Sequence, residues 1–177
     1  MLDRAISLDP LAPIPSWGRE WCLCTARRFD EVLEQHKRTA ELDPDFFYAG
    51  APLAMAFREK GMLPQSLAEY EHARRVTGHP VFGMALTLVR MGRLREARTL
   101  LQEFLEEAAS RYVAPETLAS VYSSLGEKDR AFVWLDKAYE AHSSGPLANG
   151  ILNLPDFDPI RSDPRFSVLE RKIGLQQ

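Results

Sequence analysis

The chain has 177 residues, 45% of them hydrophobic and 27% charged, with a formal net charge of −3. That is enough chain for one ordinary core without disulfide or metal staples. The near-neutral balance excludes the basic footprint of a protein that binds nucleic acid or an anionic membrane. Every apolar run is broken by charge or proline well short of the roughly 20 residues a membrane-spanning helix needs, and nothing resembles a signal peptide, so a cytoplasmic location is expected.

Residues 1–12 read as the end of a helix whose partner is missing, with Ala5 five residues before Pro10. Proline cannot continue a helix, so Leu8-Asp9-Pro10 reads as a stop. Leu42-Asp43-Pro44, of the same form 34 residues later, reads likewise. Four helix pairs are then predicted, at 13–44, 47–77, 79–109 and 114–142. A phrase recurs across them: a small residue and a large apolar one, a turn glycine, then a small and a large residue again. Its copies run Ala54, Phe57, Gly61, Ser66, Tyr70; Ala85, Leu88, Gly92, Ala97, Leu101; and Ala119, Tyr122, Gly126, Ala131, Leu135. Each glycine suits the left-handed residue that closes a helix C-terminus. The small residues suit close crossings of antiparallel helices. The glycines are 31 and 34 residues apart, and stepping back 34 from Gly61 lands on Arg27. That segment reads as the same turn with its glycine lost, Glu20 replacing the small residue and His36 the large one. An internal period of this length is the signature of a helical repeat array.

Residues 143–177 are read as a loop through Asp156 followed by a capping helix. Asp158-Pro159 and Asp163-Pro164 each place an N-cap acceptor before a proline suited to the first turn. The final helix, from about Pro164 to Ile173 and stopped by Gly174, carries Phe166, Leu169 and Ile173 on one face, as a cap over a repeat array should.

No reaction chemistry is visible. Cys22 and Cys24 would point about 200° apart on a helix, which makes neither a disulfide nor half a zinc site and fits a reducing compartment. No catalytic, metal or cofactor residue is assigned. His36, His72, His79 and His142 have no nucleophile context, and His36 reads as a partly buried structural residue. The acid pairs, such as Glu31 with Glu34, read as solvated helix faces.

The pattern of large–Leu–Gly–Tyr in the first helix and Ala–Phe–Ala–Pro in the second resembles the tetratricopeptide repeat. The stretches Leu125–Glu140 and Phe157–Phe166 are similar to the C-terminal repeat region that many bacterial signalling proteins attach to winged-helix, adenylate cyclase or Ser/Thr kinase domains. The resemblance covers roughly residues 13 to 177, and those companion domains have no counterpart here. It implies an all-α, right-handed superhelical α-solenoid of antiparallel helix pairs with a C-terminal capping helix. It also implies a concave groove lined by the first helix of each pair. Transferring the inward spacings gives Trp17, Trp21, Tyr48, Met55, Arg58, Phe82, Leu86, Arg90, Glu116 and Ser120. The positions that carry asparagine in chaperone carboxylate clamps hold Trp21, Met55, Leu86 and Ser120 instead, so a mostly apolar ligand is expected, with a negative charge for Arg58 and Arg90.

The expectation is a non-catalytic scaffold or adaptor, within bacterial signalling or regulation, that binds a peptide or helix of another protein without a cofactor. The N-terminal half repeat offers a route to a homodimer. Two alternatives stay open: the groove closes into a small-molecule sensing pocket, or Trp17 and Trp21 pack against the chain's own terminal segments.

Overall fold

A computed structural model describes Arg4, Leu8, Asp9 and residues 12–42, 50–141 and 151–174. The half repeat expected over 1–12, the Asp43-Pro44 stop, Tyr48, His142 and the link 143–150 fall largely or wholly outside the described residues. Among the described residues all regular structure is helical: α1 (Pro13–Thr25), α2 (Phe29–Leu42), α3 (Gly50–Glu59), α4 (Leu63–Thr77), α5 (Phe82–Arg90), α6 (Leu94–Ala108), α7 (Pro115–Ser124), α8 (Lys128–Glu140), α9 (Asp158–Arg161) and α10 (Pro164–Lys172). Two 3-10 turns, Ile151–Asn153 and Pro155–Phe157, precede α9. Among the described residues no helix is long and apolar enough to cross a membrane.

Four helix ends share one geometry. Gly61, Gly92 and Gly126 have φ of 76°, 74° and 77°, and Arg27, at the position where the glycine is lost, has φ of 58°. In each case the left-handed residue donates its N–H three residues back, to Cys24, Arg58, Val89 or Ser123. The residue after it donates five back, to Leu23, Phe57, Leu88 or Tyr122, at 2.9 Å. This double bond is the Schellman closure, which satisfies carbonyls the helix end would otherwise orphan. The large residue of the recurring phrase is therefore the closure's acceptor. The carbonyl of the same post-turn residue, Arg28, Met62, Arg93 or Glu127, then accepts from the N–H of the fourth residue of the next helix, Val32, Ser66, Ala97 or Ala131.

The chain forms two compact units, residues 1–87 and 88–177, dividing within α5. In the first, α1 packs on α2 and α3 on α4, with α3 also against α1 and α2. The start of α5 meets α4 through small groups: Ser66 Oγ lies 2.9 Å from Thr87 Oγ1, which donates to the Gly83 carbonyl.

In the second unit α7 is buried along eight of its ten residues. It packs on α8 and α6, and on the Pro155–Phe157 turn and α9. Ser123 Oγ donates to the Asp156 carbonyl at 2.9 Å, tying that turn to α7. The part of the expected loop from Ile151 on is thus ordered into 3-10 turns. The reason is its apolar content: Leu152, Leu154, Phe157 and Ile160 are all buried. Arg161 closes the segment by donating to the Leu152 and Leu154 carbonyls.

The two predicted aspartate caps part company. Asp163 has extended backbone and accepts from Arg165 N–H, capping α10. Asp158 does not cap. The preceding 3-10 turn delivers it already in helical conformation, φ −55° and ψ −37°, whereas an N-cap needs extended geometry. Its carboxylate instead accepts from Arg161. Helix α10 buries Phe166 and Leu169. It runs beside α8 in matched steps of seven residues, Arg165 meeting Asp129 and the Phe132 ring, Lys172 meeting Asp136 and the Tyr139 ring.

Candidate interaction site

Helix α1 starts at Pro13, whose missing N–H costs nothing in a first turn. Its length carries Ile14, Trp17 and Trp21 at spacings of three and four, one stripe of a helix. The two indoles meet edge to face, with centroids 6.2 Å apart and planes at 87°, a favoured arrangement for aromatic quadrupoles. Both are half-buried, and Ile14 is 65% exposed.

On another side of the same helix the two departures from the repeat meet. Glu20 is fully buried. Thr39 Oγ1 donates to Glu20 Oε1 at 2.6 Å, and His36 Nδ1 lies 3.4 Å from Glu20 Oε2. A buried carboxylate is tolerated only when hydrogen-bonded and offset by a partner, and α2 supplies both groups. Thr39 was not singled out from the sequence. The signal was its register: it stands twelve residues past the turn residue, where Ala73 and Ala138 stand after Gly61 and Gly126.

The remaining predicted groove residues divide by depth. Met55, Arg58 and Leu86 in the first unit are buried, as is Ser120 in the second. Arg58 directs its Nε to Glu59 Oε1 at 2.9 Å, so its charge is engaged within the chain. Ser120 donates to the Thr117 carbonyl of its own helix. Phe82 is half-buried and Arg90 exposed. The surface-accessible aromatic part of the predicted set is therefore Trp17, Trp21 and Phe82, with Tyr48 outside the described residues.

Glu116, in the first turn of α7, is 4% exposed. Burial pushes its carboxyl above the ordinary value, opposed by a bond to its own backbone N–H. Asp163, by contrast, is held down to about 2 by its hydrogen bonds from the Arg165 side chain and backbone. Among the described residues no group of three His, Cys, Asp or Glu side chains gathers where it could hold a metal ion. His72 and His79 are exposed, and Cys22 is exposed while Cys24 is buried.

Compared with known proteins, the chain matches no protein-family model and no curated protein.

Proposed function

We propose that this chain is a tetratricopeptide-like array, wound as a right-handed solenoid, that serves as a protein-interaction module in bacterial signalling or regulation. It takes a helix or an extended peptide of another protein against the aromatic stripe of α1. The observation that carries this reading is the Trp17–Trp21 pair, two indoles in mutual contact, both partly open to solvent, beside the exposed Ile14. Tryptophan is the residue type most enriched at binding hot spots, and a pre-packed aromatic pair loses little conformational entropy when a partner docks. The fourfold Schellman turn at repeat spacing supports the array, because it sets the same short link between successive helices each time.

The test is quantitative capture with wild type and a Trp17→Ala/Trp21→Ala variant, followed by titration of the captured protein in purified form. A partner that loses about 30-fold in affinity, the equivalent of about 2 kcal/mol, supports the reading. The variant must keep its helical circular dichroism. Identical capture and identical affinity for both proteins would overturn it.

A further inference from the structure

We infer that Glu20 is a positioning residue: its buried carboxylate locks the rotation of α1 about its own axis and so fixes the face on which Trp17 and Trp21 are presented. This rests on the reading of the tryptophan pair as the binding element and adds the device that orients it.

At the position of Glu20 the other three hairpins carry Ala54, Ala85 and Ala119, each fully buried. Alanine packs a helix crossing without polar cost, but it makes a contact that tolerates rotation and sliding. A carboxylate at the same place must be satisfied by donors in fixed positions. Here they come from the neighbouring helix, Thr39 Oγ1 at 2.6 Å and His36 Nδ1 at 3.4 Å. Both stand where the repeat elsewhere keeps apolar or small residues, so the three departures from the pattern form one contact. At about 100° per residue, Trp17 and Trp21 lie roughly 60° and 100° around α1 from Glu20, on the same side. A helix pinned at Glu20 therefore has its indoles aimed, and a helix released there depends on packing such as that of buried Leu23 and Cys24 to resist rotation. Buried polar groups that trade stability for register are the best-attested use of such residues.

The experiment needs no partner. Two indoles in edge-to-face contact give an exciton couplet in the circular dichroism spectrum that reports their mutual and helical orientation. A Trp134→Phe background leaves Trp17 and Trp21 as the remaining indoles. In that background Glu20→Ala should at least halve the couplet at unchanged helical signal. Glu20→Gln, whose amide oxygen still accepts from Thr39, should retain it. An undiminished couplet in Glu20→Ala would overturn the inference. Should Glu20→Ala fail to fold, Thr39→Val removes the donor alone at near-constant volume; a reduced couplet supports the lock and an unchanged one refutes it. Because the couplet is read in the free protein, loss of the binding reading in the capture experiment leaves this result standing, and the reverse holds too.

Discussion

The Tyr70 ring lies directly against the Cα of Gly83. A methyl group built at Gly83 would sit 2.2 Å from Tyr70 Cζ and 2.3 Å from its hydroxyl oxygen. Tyr70 is buried, so the ring has no open space to move into, and the crossing of α4 with α5 depends on a glycine inside a helix.

Gly83→Ala should therefore destabilise the protein. Helix propensity alone favours alanine by about 1 kcal/mol, but overpacking a closed site costs about 1–3 kcal/mol, and contact this short places the outcome on the destabilising side. In a Tyr70→Ala background the clash is gone and the same substitution should become neutral or stabilising. Urea unfolding of the four proteins in the cycle measures the coupling. A Gly83→Ala penalty that persists without the tyrosine ring would show that the close approach is not its cause.

Arg27 holds a left-handed conformation that its three counterparts assign to glycine. A side chain there costs about 1–2 kcal/mol, partly recovered because glycine loses more entropy on folding. Arg27→Gly should be more stable than Arg27→Ala by about 0.5–1 kcal/mol. The alanine comparison removes whatever the arginine side chain contributes. In Gly126→Ala the sign reverses, with a loss of about 1 kcal/mol. Equal midpoints for the two Arg27 variants would mean that the backbone at this turn relaxes once the side chain is shortened.

Stability should depend on pH through Glu116. Its folded-state value is raised above 4.5 by burial, so the folded protein binds its proton more tightly than the unfolded chain does. The associated stability is fully present below the ordinary value and is lost as pH rises through the raised one. Glu116→Gln removes that loss. The difference in urea midpoint between variant and wild type should grow in favour of the variant as pH rises above 4.5 and then level off. A flat difference across that window would show the carboxyl to be better solvated than its burial implies.

Asp163 runs the other way. With its value held down to about 2 from an ordinary 3.8, its cap on α10 contributes stability above pH 3.8 that fades as pH falls toward 2. Asp163→Ala should speed hydrogen exchange in the first turn of α10 at neutral pH and change little near pH 2. Added salt should shrink the ionic part of the effect, because the Arg165 pairing lies at the surface. Exchange in α10 that ignores the substitution at every pH would remove the cap from the account.

How much of the molecule was legible in the chain depended on the range of the forces involved. The turns at Gly61, Gly92 and Gly126, and the substituted turn at Arg27, could be read because a Schellman closure is decided within six residues by backbone stereochemistry. The proline start at Pro164, with its Asp163 cap, is local in the same sense. Asp158 shows where this fails: its cap was cancelled by the turn just before it, a turn held in place by burial of Leu154 and Phe157 and by Ser123 of α7.

Depth was the least legible property. By itself the sequence determined that the described chain is helical, where most helices close, and that Glu20 and His36 break the pattern. Only the tertiary structure decided that these two residues break it together, with Thr39 as a third party. It also decided that Met55, Arg58, Leu86 and Ser120 lie inside while Trp17 and Trp21 keep part of their surface in water. The physical reason is that helical periodicity records which residues share a face, whereas burial is set by what distant segments of chain bring against that face.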